Sequence, residues 1–286
     1  MSVSFNLALR AHIHRYINQD FVIAERKGNF RSVHLARKVE LDVFLPPNYF
    51  TEKENYPVLY FNDGQDMGAI KLEQTLEELY FQNRIKKIIV VAVHCGNARL
   101  QEYGTVSSPD FAKRGSQAGK YSDFVTKELI PYINSRYNTL TEPENTAFAG
   151  FSLGGLSALD ISWANSELFS NVGVFSGSLW WRKKALDKGY TDADRIMHSI
   201  IRESNKRKGM KFWLQTGTQD EAKDRNKNGV IDSIDDTLDL IKELKAKGYA
   251  MEQSIRYLEI TGGKHNQETW AAALPDFLEW TFGKTA

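Results

Sequence analysis

The chain has 286 residues, 42% of them hydrophobic, a length that suits one large α/β domain or two small ones and enough apolar content for one sizeable core. Lys and Arg total 37 against 36 Asp and Glu, a formal charge of +1, which argues against nucleic acid or an anionic membrane as partner. A single cysteine, Cys95, rules out an internal disulfide, and its place just after an apolar run reads as a packed structural thiol.

From the N-terminus, residues 11–46 read as antiparallel strands. The clearest is 38–45, where polar and apolar residues alternate for most of its length before Pro46 and Pro47. Residues 58–61 form a short buried strand that runs into Asn62-Asp63-Gly64-Gln65-Asp66. Helical spacing covers 72–81. A near-continuous apolar strand over 87–93 is of the kind found at the centre of a parallel sheet. Residues 122–137 predict a helix with Pro131 as a kink or break. Strand 146–150, helix 156–164, strands 171–175 and 212–215, helix 238–247 and strand 253–260 follow. A closing helix over 269–282 contains Pro275. Strands alternating with helices predict a mostly parallel central sheet with helices on both faces, as one domain over 1–286. No apolar run approaches the roughly 18 residues of a membrane span, and the first residues lack the apolar core of a leader. The expectation is a soluble, cytoplasmic protein, a secreted form with its leader removed remaining open.

Gly150-Phe151-Ser152-Leu153-Gly154 fits G-x-S-x-G and falls between a predicted strand and a predicted helix. The sharp turn leaves little room beside the serine, favours glycine there, and holds the hydroxyl clear at the sheet edge. Ser152 is therefore the candidate nucleophile, and the fold narrows to an α/β-hydrolase. A serine hydroxyl is a poor nucleophile at neutral pH and needs a base. In this fold the acid and then the histidine follow the serine, which removes His12, His14, His34 and His94. His198 lies in a segment that reads as a surface helix. His265 follows the last strand and is the candidate base. The acid is expected in Thr218-Gln219-Asp220-Glu221, the exit of strand 212–217, with Asp220 preferred and Glu221 a close rival. The oxyanion of the tetrahedral intermediate needs two backbone N–H donors, assigned to Leu153 and Gln65.

These residues resemble the "putative esterase" (esterase D-like) branch of α/β-hydrolases, which includes feruloyl and acetylxylan esterases, S-formylglutathione hydrolases, enterochelin-type esterases and mycolyltransferases. The resemblance runs from about Val43 to Trp280. It rests on Asn62-Asp63-Gly64-Gln65, Arg99-Leu-Gln-Glu-Tyr103, Tyr121-Ser-Asp-Phe-Val-Thr-Lys-Glu-Leu-Ile-Pro-Tyr-Ile133, Gly150-Phe-Ser-Leu-Gly-Gly155, Phe175-Ser-Gly-Ser178 and Gly263-Lys-His-Asn-Gln-Glu-Thr-Trp270. It implies Ser152, Asp220 and His265 at the triad positions and Gln65 and Leu153 at the oxyanion positions.

The segment after Asp220 departs from that family's pattern. Residues 224–235 fit a twelve-residue calcium loop, with Asp224, Asn226, Asn228, Asp232 and Asp235 as side-chain ligands, Val230 through its carbonyl and Gly229 at the sharp turn. Asp at position twelve has a shorter arm than the usual Glu. The expectation is a structural calcium ion and no organic cofactor. Trp180 and Trp181 follow a strand at the carboxyl edge, where open α/β sheets bind ligands, and with Tyr103 and Arg99 are candidate substrate contacts. The alternative reading of Arg99 is an ion pair with Glu102.

The predicted function is hydrolysis of a carboxylic ester through an acyl-enzyme, on carbohydrate-linked acetyl or feruloyl esters. The rivals are a siderophore esterase, an acyltransferase, or a binding module on the same fold.

Overall fold

The computed structural model describes residues 21–284. The start of the expected antiparallel region, with His12 and His14, lies outside the described residues. Eight strands form one sheet in the order β1-β2-β4-β3-β5-β6-β7-β8. Strands β1 (Ile23–Ser32) and β2 (Arg37–Leu45) pair antiparallel, and β2 pairs antiparallel with β4 (Ile89–Val93). From β4 onward the sheet is parallel through β3 (Val58–Asn62), β5 (Thr146–Phe151), β6 (Asn171–Phe175), β7 (Lys211–Gln219) and β8 (Ile255–Lys264). All five residues of β4 are buried. It does not stand at the centre, however: it joins the antiparallel edge to the parallel body, and its apolar run is continuous because Ile89, Val91 and Val93 face one core while Val90 and Ala92 face the other.

Both faces of the sheet are covered. Helices α1 (Leu72–Phe81) and α8 (Gln267–Phe282) bury Leu72, Leu76, Leu274 and Phe277 on one side. Each such side chain contributes about 1.5–3 kcal/mol on burial. The other side carries α3 (Ala118–Asp123), α4 (Ile130–Arg136), α5 (Leu153–Ala164), α6 (Ile196–Glu203) and α7 (Asp232–Ala246). Helix α5 is buried from Leu153 to Trp163, which is why it shows no polar face in the sequence.

Three local features differ from the sequence expectations. Pro131 neither ends nor sharply breaks its helix: a π-helical stretch, Phe124–Leu129, links α3 to α4 and absorbs the missing N–H in a widened turn. A short helix, α2 (Arg99–Glu102), occupies the loop after β4. His198 is buried in α6 rather than on the surface, and its Nε2 donates to the Asp236 carbonyl at 2.8 Å. Among the described residues no helix is long and apolar enough to cross a membrane.

Candidate active site

The β5–α5 turn places Ser152 at a backbone conformation that L-residues rarely adopt, φ 53° and ψ −122°. Such a conformation costs roughly 1–3 kcal/mol and persists only where neighbours over-determine it. Here the Ser152 N–H donates to the Phe175 carbonyl at 2.8 Å, and the Ser152 carbonyl accepts from Ser178 N–H at 3.0 Å and from Gly155 N–H at 3.1 Å. Close approach explains the glycines. A Cβ on Gly150 would lie 2.5 Å from the Gly154 carbonyl carbon, and one on Gly154 would lie 2.6 Å from Asp63 Oδ2.

His265 leaves the end of β8 just before α8, and its ring meets Trp270 edge-on at 5.3 Å. One side of the imidazole is open to solvent. The protein massed around it lowers its pKa by desolvation; Asp220 pulls the other way and Arg99 adds to the depression. Asp220 leaves β7 in a tight turn, its Oδ2 accepting from Gly217 N–H at 3.0 Å and its own N–H donating to the Gly217 carbonyl. Burial raises the Asp220 pKa, while the Gly217 N–H, the Ser176 hydroxyl and His265 lower it. The Oδ1 atom is buried without a hydrogen-bond partner, leaving lone pairs that an imidazole N–H can fill. Burial raises the pKa of the rival, Glu221, with Asp232 adding to the rise and Lys223 opposing it. Among the described residues no hydrogen bond yet joins His265 to Ser152 or to Asp220. Such bonds are often long without substrate and tighten in the complex.

Gln65 lies in a single 3-10 turn, Gly64–Asp66, and Leu153 is the first residue of α5. The first N–H groups of a helix find no acceptor within it, so both are available to an oxyanion. The turn is fastened by residues that sequence reasoning did not assign. Asn62 Nδ2 donates to the Gly154 carbonyl at 2.8 Å, and Tyr121 OH donates to Asn62 Oδ1 at 2.5 Å. Asp63 is 2% exposed and takes a two-pronged bond from Arg99 at 2.7 and 2.8 Å. Its N–H donates to Tyr103 OH.

Burial takes two of the expected substrate contacts away from any ligand. Tyr103 is fully buried behind the Gly64–Asp66 turn, and Trp181 is fully buried with its ring against Gly104 and Gly115. Neither has surface left for a ligand. Arg99 pairs with Asp63 rather than with Glu102, whose partner is Arg37 at 2.6 Å. Trp180 differs from its neighbour. It lines a cleft of about 350 Å³ with Phe111, Arg114, Arg182, Leu186 and Glu221. The Arg114 guanidinium lies 4.9 Å from a Trp180 ring centroid, and Arg182 lies 4.8 Å from that of Phe111.

Residues 224–235 close on themselves. Asp224 accepts from the N–H groups of Asn228 and Gly229, and Asp235 accepts from the side-chain amides of Asn226 and Asn228. Asp232 is drawn to the Arg225 N–H at 2.8 Å. The loop's last four positions form the first turn of α7, so that helix starts well before residue 238. Among the described residues no three His, Cys, Asp or Glu side chains form a metal-holding group.

Comparison with known proteins agrees with this architecture. A family model described as "Putative esterase" matches residues 32–281. "Uncharacterized protein YbbA" of Bacillus subtilis (strain 168) is 26% identical over 262 residues, covering 90% of this chain and 98% of that protein. A ferulic acid esterase of known structure superposes with a TM-score of 0.69 at 20% identity, covering 91% of this chain and 97% of that one. Enterochelin esterase from Shigella flexneri gives 0.69 at 18% identity, covering 91% of this chain and 57% of that one. At those identities the two structures speak for the fold alone. With the family model matched over most of its length, the chain belongs to the "Putative esterase" family of α/β-hydrolases and is a carboxylic ester hydrolase.

Proposed function

We propose that Ser152, His265 and Asp220 act as a triad that forms an acyl-enzyme. His265 takes the Ser152 proton as Oγ bonds to the ester carbonyl carbon, and Gln65 and Leu153 N–H groups receive the oxygen that gains the electron pair. Collapse expels the alcohol, which takes the proton from His265. Water then repeats the sequence and releases the acid. Asp220 orients the imidazole and stabilises its cation. The observation that carries this reading is the over-determined backbone of Ser152 at the exit of β5, with His265 and Asp220 electrostatically linked at the exits of β8 and β7. Native protein should hydrolyse p-nitrophenyl acetate, and Ser152→Ala should lose on the order of a thousandfold or more in kcat. Equal rates for the two proteins would sink the triad.

The Trp180 cleft favours esters with a flat ring on one side, as in a feruloyl ester of a carbohydrate, because Trp180 and Phe111 offer aromatic surface. Ferulic acid and enterochelin esterases among its structural relatives make feruloyl and catecholate esters the first substrates to compare. Product analysis with added alcohols separates hydrolysis from acyl transfer. Failure of every ester, with binding retained, would favour a binding module.

We also propose a structural calcium ion in residues 224–235. The side chains of Asp224, Asn226, Asn228 and Asp235 already meet through loop hydrogen bonds, Val230 would offer its carbonyl, and Asp232 would reach the ion by exchanging its bond to Arg225. The ion would supply loop rigidity and no catalytic step.

A further inference from the structure

The turn after β6 contains two buried hydroxyls that the mechanism above does not use. Ser176 is 2% exposed and Ser178 is 4% exposed. Gly177 separates them, and a Cβ there would lie 2.4 Å from a Val174 methyl carbon, so the turn is pressed onto its own strand. Ser176 has a positive φ of 44°, a second strained backbone beside the first. The two hydroxyls have different partners. Ser178 Oγ lies 3.3 Å from Ser152 Oγ, and it is the one side-chain polar contact of the nucleophile among the described residues. Ser176 Oγ accepts from Trp270 Nε1 at 3.1 Å and donates to Gln215 Oε1 at 3.4 Å.

We infer that Ser178 is a further catalytic residue, donating its O–H to Ser152 Oγ. This inference rests on Ser152 being the nucleophile. The chemical reason is the charge that Ser152 Oγ carries. As its proton passes to His265 and its lone pair bonds to the carbonyl carbon, Oγ holds partial negative charge until the bond is complete. In deacylation the same Oγ is the leaving oxygen and regains an electron pair before His265 returns its proton. A fixed donor helps both steps and costs no reorganisation, because backbone bonds already hold Ser178 N–H on the Ser152 carbonyl. The arrangement also leaves the Ser152 proton free for the imidazole, since the Ser178 hydroxyl supplies its own.

The test is the rate at which a fluorophosphonate probe labels the full chain, read beside p-nitrophenyl acetate kinetics. The probe requires only a reactive serine, so it does not depend on the natural ester. Native protein should label and Ser152→Ala should not. Ser178→Ala should label roughly ten to a hundredfold more slowly, the size expected for losing a hydrogen bond to a charged group. It should lower kcat with KM unchanged, at an unchanged melting temperature. Ser178→Ala should leave the acid limb of the kcat/KM profile in place. If Ser178→Ala labels as fast as native protein, or faster, the catalytic role of Ser178 is overturned while Ser152 stands. Native protein that takes no label would overturn the nucleophile and this inference together.

Discussion

The proposed nucleophile, Ser152, and the proposed acid, Asp220, are held by two different kinds of structure. Ser152 is fixed by backbone: strand pairing, a buried helix and glycines that leave no room for a side chain. Asp220 stands at the start of an arm that is fixed largely by charge. Arg225 reaches Asp236, which is 1% exposed, and Arg195 reaches both Asp236 at 2.6 Å and Asp239 at 2.7 Å. The lesson is that pH, salt and metal should act on the orientation of the imidazole through the arm, whereas the elbow should respond mainly to changes of packing or of its few buried bonds.

Replacing Arg99 with Ala should have the largest effect after loss of the nucleophile itself, because it strikes the packed region where a charge is hidden. It leaves the Asp63 carboxylate buried without its cation, beside Gly154 and the oxyanion turn. Arg99 is partly exposed, so the cost should fall at about 2–4 kcal/mol rather than at the top of the range for buried pairs. Chemical denaturation measures it, and kcat should fall with stability. A variant as stable and active as native protein would show that the elbow is not held through Asp63.

The charged arm should instead reveal itself through pH. Burial, with the Arg195 charge, lowers the pKa of His198 from 6.5 to about 3, against smaller upward pulls from the Asp236 carbonyl, Asp239 and Glu243. Above pH 6.5 the ring is neutral in both folded and unfolded chains. As pH falls below 6.5 the unfolded chain takes a proton that the folded chain refuses, and stability declines until the pH reaches about 3. The loss should amount to a few kcal/mol across that window. Unfolding free energies of native protein and His198→Gln, compared between those limits, should show a shallower slope in the variant. Parallel slopes would remove His198 as the source. The acid limb of activity has the same sign, since the lowered pKa of His265 keeps the base neutral to below pH 6.5.

The smallest effect should come from metal. Chelation of calcium should lower the melting temperature by a few degrees, corresponding to roughly 1 kcal/mol, and weaken kcat more than KM, with added calcium restoring both. No change in either would leave the arginines, Arg225 and Arg195, to hold the arm without a metal.

Much of the site was legible because its rules are local or concern chain order. The glycines around Ser152 announce a tight turn, and His265 is the histidine that follows the final strand. The relations hidden from the sequence are between distant residues. Nothing near Arg99 reveals that Asp63, rather than the nearer Glu102, is its partner. Trp180 and Trp181 are neighbours with identical side chains, and only the packing of Gly104 and Gly115 against the second decides which one reaches a cleft. His198 looked like a surface residue because its burial depends on α7 arriving from dozens of residues later. Pro131 looked like a break because a widened helical turn has no sequence mark.

The strained backbone of Ser152 has a consequence for the life of the chain before it is complete. The elbow depends on the Phe175 carbonyl and the Ser178 N–H, supplied by a strand that is synthesised after it. A nascent or half-folded chain lacks both braces, and its serine relaxes into an ordinary conformation. The strained turn is thus a late product of folding, set only when β6 has docked, and the proposed base at His265 arrives later still, after β8.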